Sequence, residues 1–339
     1  MAVESSERSE PLSHSEFKTL IADMVDGKNK VGLAVSGGPD SMALGFLLSH
    51  WAKDNDVQVC GVTVDHDLRK GSDKEAEKVK AWTKDWPNFS HQILKWEGDK
   101  PQARVMEEAR KARYALMQDY FKNVSVRNLF LAHHLDDQAE TILIRLAKGS
   151  GLDGLSGMKA KQQYAQNDAY SLTFLRPLLG VEKQRLIATC KHFDVPFVDD
   201  PSNENDKFLR PRLREARAIL EAEGLSNKRL ATTARRLDSA RIALDEIAQN
   251  VFEDSVIQTD SSIVIKTKSL EDWPFEIGFR VFLKAMRIAS DSQTYGPRME
   301  KLESLYSKIV ASHDKVKETL GGCIVVYNPQ DAEIILKPE

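Results

Sequence analysis

The feature that most constrains the fold is an alternation of short apolar runs and longer amphipathic segments in the first half of the chain. Four strand-like runs occupy residues 31–35, 57–64, 90–96 and 128–132. Each precedes a segment with helical composition, at residues 41–51, 73–82, 102–121 and 136–149. A further unit is predicted from a strand at 172–179, a helix at 182–193 and a strand at 195–198. Because strands separated by helices form βαβ units, we predict an α/β fold with a parallel sheet and right-handed crossovers.

The pattern changes after about residue 215, where helical segments are followed by short β-like runs near the end of the chain. A chain of 339 residues is also long for a single core. We therefore predict two domains behind a disordered tail at residues 1–15. The larger α/β domain covers residues 16–217, and a smaller helical and α+β domain covers residues 218–339.

Composition narrows the class of protein. The net charge is −3 and charged residues make up 29% of the chain, which is typical of a globular protein in water. No apolar run approaches the roughly 20 residues that span a bilayer, and the first residues lack a hydrophobic signal-peptide core. The three cysteines, Cys60, Cys190 and Cys323, are far apart and form no CxxC pair, which argues against a disulfide framework or a metal cluster. We expect a cytoplasmic protein with no membrane partner.

The hexapeptide SGGPDS, residues 36–41, follows the first predicted strand and opens the first predicted helix. Ligands of open α/β sheets bind at the carboxyl ends of strands, where a glycine turn and a helix N-terminus attract anions. The string lacks the lysine of a Walker A loop and is not a GxGxxG dinucleotide loop. From the glycines alone, an anion site and a simple turn with Asp40 capping the helix are both open.

A second polar cluster, HHLDDQAE, follows the fourth strand and contains His133, His134, Asp136, Asp137 and Glu140. Acidic residues at a helix start are favoured by the macrodipole, so a cap explains them without any function. A metal site is the alternative, because His and Asp are common ligands. Both interpretations remain open from the residues alone.

Arginines are concentrated in two further places. Arg110 and Arg113 lie three residues apart on one predicted helix, and Arg210 and Arg214 lie four apart on another. These spacings put each pair on one helical face. A solvated helical surface and a phosphate-binding surface are both compatible with such pairs, since guanidinium groups bind phosphate in a forked geometry.

As whole strings these segments resemble a known family. SGGPDS resembles the SGGxDS loop of the PP-loop ATP pyrophosphatases, which split ATP between the α and β phosphates. The string HHLDDQAET, continued by GSGLDGLSGM, is similar to the corresponding segment of the tRNA(Ile)-lysidine synthetases. EEARKARY, RPLLGVEKQRL and DDPSNENDKFLRPRLR resemble three further segments of that family. The last departs at Pro211, where asparagine is common. The resemblance implies an adenine-nucleotide α-hydrolase-like fold for the first domain.

The resemblance also implies a reaction. This family joins free L-lysine to C2 of the wobble cytidine, position 34, of an isoleucine tRNA with a CAU anticodon. The cytosine oxygen first attacks the α-phosphate of ATP, and the amine of lysine then displaces AMP. The reaction changes codon reading from AUG to AUA. ATP and Mg²⁺ are the implied cofactors, and a homodimer is the implied assembly.

Site roles follow from the same resemblance. The residues expected to bind ATP are Ser36, Gly37, Gly38, Pro39, Asp40 and Ser41. Asp40 is expected to ligate Mg²⁺ as well, and Asp40, His133 and Asp137 are the candidate catalytic residues. Asp136, Asp137 and Glu140 are candidates for binding lysine. Arg110, Arg113, Arg210 and Arg214 are candidates for binding phosphate or tRNA.

Two other functions are compatible with parts of the sequence. A PP-loop enzyme with a different acceptor, such as a tRNA thiolase, would keep the ATP chemistry. The thiolating relatives typically carry cysteine pairs, which this chain lacks. An RNA-binding module with a vestigial nucleotide site would bind tRNA without releasing pyrophosphate.

Overall fold

The computed structural model describes residues 9–25, 27, 29–68, 71–98, 100–101, 105–164, 170–198, 212–213, 215–290 and 298–339. Two compact units divide the chain, one over Met1–Arg236 and the other over Leu237–Glu339. The predicted boundary between residues 217 and 218 lies earlier than this division, and the exact domain limits stay a prediction. None of the described helices combines the length and the apolar character needed to cross a membrane.

The first unit is built from helices and strands in alternation. Its helices are α1 His14–Ile21, α2 Pro39–Asp54, α3 Ser72–Trp82, α4 Val105–Asn123, α5 Leu135–Ala147, α6 Leu152–Leu155, α7 Lys183–His192 and α8 Arg217–Ala222. Its strands are β1 Lys30–Ala34, β2 Gln58–Asp65, β3 Phe89–Lys95, β4 Asn128–Phe130, β5 Lys161–Tyr164 and β6 Leu172–Leu175. The predicted α/β class is confirmed.

One six-stranded sheet, in the order β3-β2-β1-β4-β6-β5, organises this unit. Its strands are parallel except for β5, which pairs antiparallel with β6. The strand order changes direction at β1, because the chain adds β2 and β3 on one side of it and then β4 on the other. Such a switch point opens a crevice at the carboxyl ends of the two central strands. The segments that follow β1 and β4 therefore meet there.

Side chains of successive strand residues point to opposite faces, and each face carries its own core. Leu33 of β1 and Phe130 of β4 belong to a core shared with α1, α2 and α7. Leu129 and Leu131 belong to a second core shared with α4. Gly32 is needed on that second face, since an added Cβ would lie 2.7 Å from the ring of Phe121.

Two local predictions are wrong. Residues 195–198 do not form a strand: Pro196 lacks the N–H that a sheet ladder requires, and the segment pairs with none of the described strands. The predicted tail extends too far, because Leu12 is fully buried and the Oγ of Ser13 accepts a hydrogen bond from the backbone of Glu16 at the start of α1. Residues 1–8 lie outside the described part of the chain.

The second unit is of a different class, as predicted. Its five strands form an antiparallel sheet in the order β7-β8-β11-β10-β9. The strands are β7 Val256–Gln258, β8 Ile263–Lys266, β9 Val316–Leu320, β10 Cys323–Asn328 and β11 Glu333–Pro338. The remaining helices are α9 Asn227–Ser255, within which the two units divide, α10 Phe275–Ala289 and α11 Met299–Ala311. Helices α10 and α11 pack with this sheet into one apolar core.

Candidate active site

The SGGPDS turn joins β1 to α2 in a conformation fixed by its own serines. Ser41 is buried, and its Oγ accepts a hydrogen bond from the backbone N–H of Ser36 at 3.1 Å and donates one to the carbonyl of Gly38 at 3.0 Å. Gly38 is the N-cap of α2, and Pro39 is the first helical residue. Proline suits this position because its ring presets the helical φ and the missing N–H has no intrahelical partner to lose.

Gly37 has a left-handed backbone, with φ of +87°. An added Cβ would lie 2.7 Å from Cγ2 of Val79 and 3.4 Å from Cγ2 of Val198. The carbonyl of Gly37 accepts a hydrogen bond from the backbone of Val198 at 2.8 Å. At Gly37 the turn therefore packs against Val79 and Val198. It then leads directly into the N-terminus of α2, where backbone N–H groups attract anions.

The second polar cluster caps α5. His134 is the N-cap residue, and its Nδ1 accepts a hydrogen bond from the backbone N–H of Asp136 at 3.2 Å. Asp137 reciprocates, because its Oδ2 accepts the backbone N–H of His134 at 3.1 Å. The cap interpretation is therefore correct for Asp137, but the N-cap residue itself is His134 and not an acidic residue. The capping hydrogen bonds set the positions of the His134 and Asp137 side chains.

His134 also joins the two clusters. Its Nε2 lies 3.5 Å from Oδ2 of Asp40 and 3.4 Å from Oδ2 of Asp137. Burial favours the neutral ring, but the hydrogen bond with Asp40 and the charge of Asp137 outweigh burial and raise the pKa of His134 above its ordinary value. Since Nδ1 accepts from a backbone N–H, the neutral ring carries its proton on Nε2 and donates it toward the carboxylates.

Asp40 fits the role of a metal ligand. Its Oδ1 is buried and has no hydrogen-bond partner in the part of the chain that the structure describes, whereas its Oδ2 faces His134. A buried carboxylate oxygen without a donor is costly unless a ligand satisfies it. Within the described residues no group of three or more His, Cys, Asp or Glu side chains is arranged to hold a metal ion. This is compatible with Mg²⁺, which is commonly held by one or two carboxylates together with substrate phosphates and water.

His133 occupies a different environment from His134. Its Nδ1 accepts a hydrogen bond from Nε of Arg176, a buried residue directly after β6, at 3.3 Å. Arg176 is itself held by a hydrogen bond from its Nη1 to the carbonyl of Lys159 at 2.8 Å. A donor on Nδ1 leaves the ring proton on Nε2, so His133 presents an N–H group rather than a basic nitrogen.

A cavity of about 920 Å³ brings these groups together at the switch point of the sheet. Its lining includes, among the residues predicted for the site, Ser36, Gly38, Pro39, Asp40, Ser41, Arg110, Arg113, His133 and Asp137. The volume is in the upper part of the range of pockets for ligands of a few hundred daltons. Two motifs separated by about 90 residues in sequence thus line a single cavity.

Other predicted residues lie differently. Asp136 forms an ion pair with Arg217 of α8, its Oδ2 lying 3.0 Å from the guanidinium, and it does not line the cavity. Glu140 is buried on α5 and does not line the cavity either. Arg210 and Arg214 lie outside the described residues, as does Pro211.

Several lining residues escaped the sequence analysis. Asp65 ends β2; its Oδ1 accepts hydrogen bonds from the backbone of Asp67 at 3.0 Å and from Oγ of Ser72 at 2.7 Å. His66 accepts a hydrogen bond from Nε of Arg113 at 3.2 Å. Burial, reinforced by the charge of Arg113, lowers the pKa of His66 to about 4, so it is neutral at neutral pH. Their position at the carboxyl end of a parallel strand is the signal that would have found them.

The fold and this cavity define the chain as a PP-loop protein. The PP-loop domain family matches residues 10–220, and the chain is a member of that family. A solved U34-tRNA thiolase, NcsA from Methanococcus maripaludis with its [4Fe-4S] cluster, has a similar fold. The TM-score is 0.54 at 14% identity, with 66% of this chain and 78% of that chain covered.

Curated relatives show to which family of PP-loop proteins the chain belongs. The tRNA(Ile)-lysidine synthase of Wolbachia sp. subsp. Brugia malayi is 35% identical over 91% of this chain and 72% of its own length. The tRNA(Ile)-lysidine synthase of Rhodopseudomonas palustris is 35% identical over 97% of this chain and 96% of its own length. The enzyme of that name from Methylobacterium nodulans is 36% identical over 94% of this chain and 94% of its own length. The chain belongs to the tRNA(Ile)-lysidine synthase family.

Proposed function

We propose that this enzyme ligates free L-lysine to C2 of the wobble cytidine of the CAU-anticodon isoleucine tRNA, using ATP. The observation that carries the proposal is the single cavity lined by both the SGGPDS turn and the start of α5, with His134 between Asp40 and Asp137. The first motif suits an ATP phosphate and the second suits a cationic amino acid. The names of the curated relatives support the same reaction.

The first step forms a bond between the cytosine O2 and the α-phosphorus of ATP and breaks the bond from that phosphorus to the bridging oxygen of the β-phosphate. Pyrophosphate leaves. The turn residues Ser36, Gly37, Gly38 and Ser41 bind the phosphates through backbone N–H and hydroxyl groups, as at other helix N-termini. Asp40 would hold Mg²⁺, which neutralises phosphate charge when bound. The Nε2–H of His133 donates a hydrogen bond to a phosphate oxygen.

The second step forms a bond from the lysine side-chain nitrogen to C2 and breaks the bond from C2 to the adenylated oxygen, so that AMP leaves. The attacking amine must lose a proton. We assign Asp137 to bind this amine and accept its proton, because it is the acidic residue of the α5 cluster that lines the cavity. Asp136 and Glu140, which do not line the cavity, are assigned to supporting roles on α5 in binding lysine. Negative charge at Asp136, in the first turn, is also favoured by the helix dipole.

The tRNA needs a cationic surface and an unstacked wobble base. Arg110 and Arg113 line the cavity from α4, and we assign them to phosphates of ATP or of the anticodon loop. Arg210 and Arg214 are proposed to contact tRNA. We propose that the second unit binds the tRNA body, that the enzyme acts in the cytoplasm, and that it assembles as a homodimer.

Incubation with ATP, Mg²⁺, radiolabelled lysine and the CAU isoleucine tRNA is expected to label the tRNA. A tRNA that differs only by uridine at the wobble position is the matched control and should stay unlabelled. Release of pyrophosphate without labelling would overturn the lysine assignment. Labelling from a sulfur donor instead would support a thiolase, and tRNA binding with no pyrophosphate release would support a non-catalytic RNA-binding role.

A further inference from the structure

Lys183, the first residue of α7, is placed where a lysine is unfavourable for the fold. A cation at a helix N-terminus opposes the positive end of the macrodipole. The first turn of α7 contains no acidic residue, and the N-cap Glu182 makes no side-chain capping hydrogen bond. Arg185, in the same turn, is neutralised by a forked ion pair with Glu16 at 2.7 Å and 2.8 Å. Within the described residues, Lys183 has no comparable partner.

Lys183 lines the cavity of the active site and is half-buried. Ile187 and Lys191, one and two turns further along α7, line the same cavity, so one face of this helix forms a wall of the cavity. Lys183 is the cation of this face nearest the start of the helix, and Lys191 is exposed. A half-buried lysine that faces a ligand cavity and forms no ion pair with the described residues is well explained by an anionic ligand.

Two contacts fix α7 against the motifs of the site. The carbonyl of Val181, two residues before Lys183, accepts the backbone N–H of Leu135, the residue after His134, at 3.0 Å. At the other end, Sγ of Cys190 donates to the carbonyl of Pro39 in the SGGPDS turn at 3.3 Å. Burial, with a smaller contribution from Asp40, raises the pKa of Cys190 to about 12, so the thiol keeps the proton it donates. The helix therefore spans from the α5 cluster to the phosphate turn.

We propose that Lys183 is an ATP-binding residue whose ammonium group contacts the triphosphate during adenylation. This inference rests on the proposed use of ATP and is independent of the acceptor. Charge favours ATP as the ligand: free lysine carries two ammonium groups against one carboxylate and is a net cation, whereas ATP brings several negative charges into a cavity that already contains Asp40, Asp65 and Asp137. Cations are needed on the remaining walls to hold that anion, and α7 supplies one.

The test compares Lys183→Gln and Lys183→Arg with the wild type, each as the full-length enzyme. ATP with Mg²⁺ is titrated calorimetrically without tRNA or lysine. A charge-assisted hydrogen bond to phosphate predicts that Lys183→Gln weakens ATP binding about 10- to 100-fold. Lys183→Arg keeps the charge and should bind within about threefold of the wild type. Lys111→Gln removes an exposed lysine of α4 outside the cavity and should not change ATP affinity.

Two further readouts separate binding from folding and from tRNA contact. Lys183→Gln should melt at the wild-type temperature or above it, because it removes a cation from a helix N-terminus. Its KM for lysine and its affinity for tRNA should match the wild type. The proposal is overturned if ATP affinity changes less than about twofold, if melting falls together with ATP affinity, or if only tRNA affinity falls. If the wild type binds ATP but never labels tRNA with lysine, the proposed acceptor fails while the assignment of Lys183 is still decided by the calorimetry.

Discussion

Replacing Gly37 by alanine tests whether the phosphate turn depends on one left-handed residue. At φ of +87°, a residue with a Cβ adopts a conformation that costs about 1–2 kcal/mol. The new methyl would also lie 2.7 Å from Cγ2 of Val79, a buried residue of α3. Overpacking of this kind costs about 1–3 kcal/mol. Together the two effects predict that Gly37→Ala lowers the free energy of unfolding of the first unit by about 2–5 kcal/mol.

Gly38→Ala is the matched control. Its φ of −72° suits any residue, and the nearest atom to an added Cβ is Oγ of Ser36 at 3.8 Å. Alanine is a poorer N-cap than glycine, so a cost of up to about 1 kcal/mol is expected. The double variant Gly37→Ala/Val79→Ala separates strain from overpacking. Its cost should be about 1–3 kcal/mol less than the sum of the single variants, because the clash disappears while the φ strain stays.

Urea unfolding followed by tryptophan fluorescence measures these differences. Four of the five tryptophans, at positions 51, 82, 86 and 96, belong to the first unit, so the signal reports mainly its unfolding. The reasoning is refuted if Gly37→Ala changes the free energy of unfolding by less than about 0.5 kcal/mol, the size of an ordinary surface substitution. It is also refuted if Gly38→Ala costs as much as Gly37→Ala.

Three further predictions address other parts of the molecule. Asp40→Asn removes the negative charge assigned to the metal and should slow ATP–pyrophosphate exchange about a hundredfold or more. An exchange rate near that of the wild type would contradict that role. His134→Asn keeps a capping side chain but loses the charge. The pKa of His134 is raised above 6.5, so its contribution to stability is complete below that pH and is lost as the pH rises through the folded value. The stability difference from wild type should therefore be larger at about pH 6 than at about pH 8, and a constant difference would argue against it. Gly278→Ala should destabilise the second unit by about 1–3 kcal/mol, since an added Cβ would lie 2.0 Å from Oη of Tyr306, yet leave ATP affinity unchanged by calorimetry.

Much of the fold and the position of the site were predictable because they follow from chain direction. Parallel strands bring their carboxyl ends to one edge, so the residues after β1 and β4 meet there whatever the loops contain. The same rule would have pointed to Asp65 at the carboxyl end of β2. The antiparallel strand β5 was not predictable, since its sequence, KQQY, is polar and has no β pattern. It is a strand because it pairs with Leu172–Leu175 of β6.

The identity of the histidine between the carboxylates was not predictable from spacing. His133 and His134 are adjacent, and the choice depends on which of them becomes the N-cap of α5. His134, the N-cap, turns its ring toward Asp40. His133 instead contacts Arg176, the residue directly after β6. Asp136 shows the same limit, because its partner Arg217 lies 81 residues further along the chain. Such pairings depend on tertiary contacts that no local pattern contains.

The capping geometry makes one ring N–H common to the two carboxylates of the proposed site. The Nε2 of His134 lies 3.5 Å from Oδ2 of Asp40, assigned to the first step, and 3.4 Å from Oδ2 of Asp137, assigned to the second. Because Nδ1 already accepts the backbone N–H of Asp136, the neutral ring has only this one donor for both carboxylates. A Mg²⁺ ion held by Asp40 would compete with His134 for that carboxylate, and we expect the imidazole then to hydrogen-bond Asp137. The proposed roles therefore predict that the two carboxylates are coupled through one buried imidazole, so that the proton affinity of Asp137 would depend on what Asp40 binds.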